Sequence, residues 1–520
     1  MKPFAKTMTT IAFCSINTIP SHREQDYHMN LTPATEISLP ACRTKILCTI
    51  GPSCRDTATI ETMMQNGMTA ARLNFSHGSF EEHRRTIAAL REGAGKLSHP
   101  PTILADLPGP KIRIGQLVED PLILEKGNEI TLTTREIPGT ADIIYVNYNR
   151  LPSSLQPGDT IYLNDGFIEL TVLEVNPESV RCVVTAGGTL RSGKGLNLPG
   201  RKVFLDNPTK RDFEIMDFAL AENIDIFGIS FVEDADALLR AREYAAGKNR
   251  SIHVIAKIER AAAIGNIDAI LSAADGVMIA RGDLGIEIPI EDMPSVQKEL
   301  IHKANERSVP VITATQMLVS MVENSRPTRA EVTDIANAIQ DGTDVIMLSE
   351  ETAIGRHPVR VVSTMAAVAA SFERRHGELM WLSALREQLK ANLTEKRISV
   401  PDMISLNVAE SAQSLNVPVI LASTVTGMTP RRISRLKPES WIIAVCQDED
   451  VVNFTFLSSG VYPLARDGSM STWHEPVMRQ LKKQGILTPG DKVILTEGMF
   501  SNPRDGREPG GTDMMAIITV

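Results

Sequence analysis

Lys257 and Glu259 stand two residues apart at the end of one apolar run, HVIAKIE, and Arg281 and Asp283 close the next, GVMIARGDLG. Charges are costly near a core unless they pair, bind metal or take part in chemistry. Glu259 and Asp283 are hard oxygen donors that suit Mg2+, an ion held by one or two carboxylates together with substrate oxygens and water. Lys257, with Arg72 of AARLNF, offers cations to an anionic substrate, and its two-residue spacing from Glu259 lets both project to one side of a strand. Gly282 gives close backbone access, and a helix starting there would aim N–H groups at an anion. Divalent ion, cations and backbone donors together describe stabilisation of a phosphoryl group or an enolate.

These residues need elements that bring them together. Eight short apolar or β-branched runs begin at Thr44: TKILCTI, TAARLNF, PTILADL, IDIFGISFV, IHVIAKIE, GVMIARGD, VPVITATQM and DVIMLSE. Segments of helical period separate most of them. In RAEVTDIANAIQDG, Val332, Ile335, Ala336 and Ile339 follow the spacing of one helix face, and Gly342 is placed to end it. Buried strands alternating with helices predict an α/β fold, a parallel (β/α)8 TIM barrel whose chemistry gathers at the C-terminal strand ends. Arg72, Asp106, Lys257, Glu259, Asp283 and Thr315 all stand at such ends and are expected to share a pocket. A solvated strand end is the ordinary account of any one of them; for all together it requires coincidence.

The alternation breaks between the third and fourth runs. Residues 108–206 read as strands and turns, an all-β domain inserted into the barrel of residues 41–107 and 207–375. Residues 376–520 return to α/β alternation in VPVILAST, SWIIAVC and DKVILTEG, a separate domain. Residues 1–40 read as a disordered extension, possessing no convincing cleavage pattern, with Met29 as an alternative start. The formal charge of −9 argues against a nucleic-acid partner, and no apolar run has the length of about 18 residues that suggests a membrane span. Six scattered cysteines without a CxxC pair indicate neither disulfides nor zinc, which points to a reduced, cytoplasmic protein. GTLRSGKG, from Gly188, nearly matches a phosphate-binding loop, but Gly195 replaces the required Ser or Thr and LNLPG cannot open the helix.

In TIGPSC, ARLNFSHG, DLPGPKIR, GKGLNLPG, AKIE, MIARGDLG, ATQML, NSRPTRAEVTDIANAI and MLSEETAIG the chain resembles the pyruvate kinase family, in the family's order over residues 43–356. The resemblance implies transfer of the phosphoryl group of phosphoenolpyruvate to ADP, giving ATP and, after protonation of the enolate, pyruvate. It implies Mg2+ (or Mn2+) on Glu259 and Asp283, with Lys257 and Arg72 facing the phosphoryl group. Gly282, Asp283 and Thr315 would hold the substrate carboxylate, and Thr315 and Ser349, through water and Glu351, would form the proton route. Pro52, Asn74, His77 and Arg113 would line the nucleotide side, joined by Lys194 and Asp165 from the insertion acting as a lid. A C-terminal regulatory domain and a homotetramer are also implied.

Many members of the family carry Glu where this chain has Lys111, and hold K+ near residues matching Asn74, Ser76 and Asp106. A fixed ammonium at Lys111, with Leu107 and Ile114 in place of polar residues, predicts activity without K+. In STVTGMTPRRI, Thr429 is a candidate N-cap with Pro430 first in the helix, so Thr424, Thr426, Gly427 and Thr429 would present hydroxyls and N–H groups to the phosphate of an allosteric effector. Two other functions fit parts of the pattern: a Mg-dependent lyase or aldolase acting on pyruvate enolate, and a non-catalytic metabolite sensor. His77 and Arg113 speak against the first, and the intact set Lys257, Glu259, Asp283 and Thr315 against the second.

Overall fold

The eight runs close into a ring. In the computed structural model, which describes residues 37–95, 101–375, 380–446, 448–465, 473–498 and 511–520, they form β1 (Lys45–Thr49), β2 (Ala70–Asn74), β3 (Thr102–Asp106), β4 (Ile226–Ile229), β5 (His253–Ile258), β6 (Gly276–Ala280), β7 (Val311–Ala314) and β8 (Val345–Leu348). All pairings are parallel, and β1 pairing with β8 closes the barrel. Leu47, Ala70, Leu104, Ile226, Ile255, Met278, Ile312 and Val345 fill its interior. The opposite strand faces pack against the surrounding helices, as period-two alternation requires of strands buried on both sides. Two helices matter below. The short α1 (Arg281–Glu287) follows β6 directly, and α2 (Arg329–Asp341) starts with a Thr328–Glu331 capping box and ends at Gly342, whose φ of 103° suits glycine.

Between β3 and β4 lie a six-stranded and a two-stranded sheet around a core of their own, including Ile130, Leu132, Ile161, Leu170 and Val184. GTLRSGKG falls here on the strand Gly188–Leu190 and the turn after it, and no helix follows.

Beyond residue 400, β9 (Val419–Thr424), β10 (Trp441–Cys446), β11 (Val461–Ala465), β12 (Lys492–Glu497) and β13 (Met514–Thr519) form a sheet in the order β11-β10-β9-β12-β13, with β13 antiparallel. Pro463 lies inside β11, where an edge strand tolerates the missing donor. The helix α3 (Met428–Ser434) corrects the expected cap. It starts two residues earlier than expected, behind Gly427 at φ 79°, so Pro430 is its third residue. Thr429 is buried, and its hydroxyl meets Thr512 Oγ1 at 2.5 Å instead of capping. Thr424 Oγ1 accepts the Gly427 N–H at 2.9 Å.

This part is plugged into the closed end of the barrel. The helix α4 (Glu449–Thr455) and the residues after it send Phe454 and Leu457 into the interior cluster. Lys45 Nζ donates to the Val461 carbonyl at 2.7 Å, with the Phe456 ring 4.3 Å away. Burial drives this ammonium down to about 7. Of the N-terminal extension, residues 1–36 lie outside the described residues; Ile37 is buried in the C-terminal core. No described helix is long and apolar enough to cross a membrane, and the five described cysteines are buried and unpaired.

Candidate active site

Side chains alternate across a strand, so counting by two from each interior apolar residue gives the next inward position. Leu47 leads to Thr49, Ala70 to Arg72 and Asn74, Leu104 to Asp106, Ile226 to Gly228 and Ser230, and Ile255 to Lys257 and Glu259. The register sets these tips side by side, Thr49 opposite Arg72 and both Asn74 and Gly228 opposite Asp106.

Asp106 joins the two cations. Arg72 Nε and Nη2 reach its Oδ2 at 2.6 and 2.5 Å, and Lys257 Nζ lies 3.0 Å from its Oδ1. Arg72 Nη1 also donates to Thr49 Oγ1 at 3.0 Å. Lys257 Nζ stands 3.0 Å from Glu259 Oε1 and 2.6 Å from Ser230 Oγ, whose hydroxyl donates to the Leu107 carbonyl. Gly228 makes room for this contact, because a Cβ there would sit 3.2 Å from Asp106 Oδ1. Burial opposes every charge in the cluster. It would raise Asp106, yet Lys257 and Arg72 outweigh it and hold that carboxyl below its ordinary value. It would likewise lower Lys257, but Asp106 and Glu259 prevail and the ammonium is raised. Glu259 is raised, by burial first and by the Asp283 charge as well, against the pull of Lys257.

The second carboxylate, Asp283, sits in the first turn of α1 and meets Lys111 Nζ at 3.3 Å. Lys111 therefore pairs with the expected metal ligand, while Asp106 is taken by Arg72 and Lys257. Each carboxylate of the expected metal pair is thus neutralised by a lysine, and the mutual repulsion felt by Glu259 is what a divalent cation held between hard oxygen donors would relieve.

Thr315 and Gln316 follow β7 with φ of 68° and 56°, a left-handed pair without glycine. Arg281 holds them: its Nη2 donates to the Thr315 carbonyl at 2.7 Å and its Nη1 to Asp334 of α2 at 2.8 Å. Arg281 is thus a structural charge. Thr315 Oγ1 accepts the Gly282 N–H at 2.8 Å. Ser349 Oγ is buried without a hydrogen-bond partner among the described residues, and both oxygens of Glu351 take backbone N–H groups, from Leu318 at 3.0 Å and Ser349 at 2.6 Å.

On the expected nucleotide side, Pro52 and His77 are exposed in turns after β1 and β2, and Asn74 Oδ1 accepts the Ser76 N–H at 3.1 Å. Arg113 Nη1 donates to the Gly193 carbonyl, and Lys194 and Asp165 of the insertion face each other at 3.8 Å. Two polar contacts of the cluster went unassigned in the sequence, Thr49 and Ser230. Their signal was the same parity that marks Arg72 and Lys257, two and four positions beyond interior Leu47 and Ile226.

Comparison with known proteins agrees along the chain. The family model described as pyruvate kinase, barrel domain, matches residues 41–362, and that of the pyruvate kinase alpha/beta domain matches residues 402–518. A pyruvate kinase of Thermococcus litoralis is 46% identical over 484 residues, covering 93% of this chain and 100% of the relative. One of Staphylococcus aureus (strain MRSA252) is 40% identical over 482 residues, covering 92% of this chain and 80% of its own. The crystal structure of a pyruvate kinase from Cryptosporidium parvum superposes with a TM-score of 0.84 at 35% identity, over 92% of this chain and 96% of that one.

Proposed function

The chain belongs to the pyruvate kinase family, and we propose that the cluster of Arg72, Asp106, Lys257 and Glu259 is where it handles the phosphoryl group in passage from phosphoenolpyruvate to ADP. The observation that carries this is Lys257, a buried cation within 3.0 Å of both Asp106 and Glu259 at the functional end of the barrel. Phosphoryl transfer asks a protein mainly for position and charge, and Lys257 with Arg72 supplies two cations held rigid from beneath. Glu259 and Asp283 would hold the divalent ion, Mg2+ or Mn2+, whose chemistry is to neutralise phosphoryl and carboxylate oxygens. The N–H groups of Gly282 and Asp283 and the Thr315 hydroxyl bind the substrate carboxylate, and Arg281 keeps that hydroxyl in place. Thr315 and Ser349 present hydroxyls on the proton route to the enolate carbon, Glu351 holding Ser349 through its backbone. Pro52, Asn74, His77 and Arg113 receive the nucleotide, with Lys194 and Asp165 brought by the lid.

Lys111 brings a fixed positive charge to the site, 3.3 Å from Asp283, and buried Leu107 offers no side-chain oxygen to a monovalent ion near Asn74, Ser76 and Asp106. In a buffer whose only monovalent cation is tetramethylammonium, the chain should release pyruvate from phosphoenolpyruvate in strict dependence on ADP, and added K+ should change turnover by less than about two-fold. Pyruvate release without ADP would favour the enolate lyase, and a large rise on adding K+ would remove the role given to Lys111.

The loop of Thr424, Thr426 and Gly427 precedes α3, whose Arg431 donates through Nε to the Ser308 carbonyl at 2.8 Å, shortly before β7. An effector phosphate held there would act on the segment that ends in Thr315. Phosphorylated sugars and AMP are the probes: one of them should lower the phosphoenolpyruvate concentration for half-saturation by about three-fold or more, a coupling of the usual allosteric size. Indifference to all of them sinks the effector site. Light scattering on the same samples tests the homotetramer.

A further inference from the structure

The two carboxylates assigned to the divalent ion continue into a second pair of buried charges facing the insertion. Arg260 directly follows Glu259, and Glu287 ends the helix that begins beside Asp283. Both side chains are buried, the guanidinium 3.6 Å from the carboxylate. Among the described residues, neither Arg260 Nε nor Nη1 has a hydrogen-bond acceptor, and Glu287 Oε1 has no donor. Buried polar groups without partners are few in folded proteins and call for a reason. The pair borders a cavity of about 360 Å3, lined from the insertion by Gly200, Arg201 and Lys202 and from the barrel by Glu233 and Asp234. On the insertion's own strand, the Asn197 side chain is within hydrogen-bonding reach of the Glu287 carboxylate, as is the Ala261 N–H. Ile286 of the same helix packs on the insertion's Asp165–Gly166 turn.

We propose that Glu287 and Arg260 are positioning residues for lid closure, a latch that ties the lid at Asn197 to the turn bearing Glu259 and the helix bearing Asp283. The proposal rests on the reading of Glu259 and Asp283 as the divalent-ion ligands. An ion pair left open at 3.6 Å, with unused donors on one side and an unused acceptor on the other, tightens when the lid moves inward over the nucleotide. The latch thus stabilises the closed state and is read in nucleotide affinity. Its charge also titrates where enzymes work. Burial pushes the Glu287 carboxyl up to about 7, Arg260 opposing and Glu233 adding to the rise. Arg201, Lys202, Asp234, Asn266 and Asn197 are the other charged or polar groups around it among the described residues. A carboxyl is ionised above its pKa, so the pair with Arg260 is present on the alkaline side and lost as pH falls through that value.

The test is E287Q, which keeps the shape but loses the charge and turns one accepting oxygen into a donating amide, so that the pairing with Arg260 and the full set of bonds from Asn197 and Ala261 are no longer available. At about pH 8.5 it should raise the KM for ADP about five-fold while kcat stays within about two-fold, and at about pH 6 it should match the wild type. The wild-type profile of kcat/KM for ADP should inflect near neutrality, and that inflection should vanish in the variant. An unchanged KM on the alkaline side, or an inflection that survives the substitution, overturns the latch. If E287Q fails to fold, N197L takes its place: a raised KM with unchanged kcat supports the proposal and an unchanged KM overturns it. Mn2+ binding to wild type and to D283N, followed by electron paramagnetic resonance, tests the metal-site reading by itself, so the two failures are distinguishable.

Discussion

Replacing Lys257 by methionine lowers kcat by about three to five orders of magnitude, the range seen when a cation is withdrawn from a phosphoryl-transfer site. The expectation follows from where the ammonium is and what holds it. Lys257 lies at the rim of the barrel interior, 2.6 Å from Ser230 Oγ and 3.0 Å from Asp106 and Glu259, so it approaches a phosphoryl group without reorganisation. Asp106 and Glu259 hold it in the charged form against burial. Methionine retains most of the apolar stem and removes the ammonium, with its charge and its contacts to Ser230, Asp106 and Glu259. The loss belongs in kcat rather than KM, because the stabilised charge develops in the transition state. The substitution also leaves Asp106 and Glu259 facing each other in a buried site with one cation fewer, at a cost of about 3–5 kcal/mol of stability. Turnover is therefore measured beside a thermal melt and well below the transition. A variant that is folded and keeps more than about a tenth of the wild-type kcat removes Lys257 from the phosphoryl path.

Much of this cluster is legible in the amino-acid pattern. Apolar runs that end in charge mark strand tips in a barrel, and the alternation of interior Ile255 with Lys257 and Glu259 puts both on the inner face. What the pattern does not carry is the choice among partners. Lys111 was expected to bring its charge to the region of Asn74, Ser76 and Asp106; that its side-chain partner is Asp283, while Asp106 is engaged by Arg72 and Lys257 from neighbouring strands, no local pattern announces. Arg281 stands at a strand end like the others, yet it faces the Thr315 carbonyl and Asp334, far away in sequence. Local rules also compete. Pro430 after Thr429 reads as a capped helix start, but Gly427 takes the left-handed turn first and Thr429 spends its hydroxyl on Thr512. Pro463 within VYPLA argues locally against the edge strand β11, and no local pattern announces that Lys45 is sealed against Val461 and Phe456 by a part of the chain more than four hundred residues distant.

Asp106 carries the second large effect. D106N preserves the size of the side chain and removes the charge shared by Arg72 and Lys257, leaving two cations buried together above Glu259. Breaking a buried pair in this way costs about 3–5 kcal/mol, and the displaced cations lower kcat by about two orders of magnitude. The pH dependence separates this from simple loosening of the fold. Asp106 has a folded pKa below its ordinary value, so its contribution to stability is complete above the ordinary carboxylate range and is lost as pH falls through the folded value. The gap in urea midpoint between wild type and D106N should therefore be widest at neutral pH and close in acid. On the alkaline side Lys257 is the group that responds: burial is the largest influence on it, and Asp106 is the strongest of the charges that oppose burial. Without Asp106 the ammonium gives up its proton more readily, and D106N should lose activity with rising pH where the wild type holds a plateau. A stability gap that ignores pH, together with parallel alkaline profiles, would show that Asp106 holds neither cation in its working state.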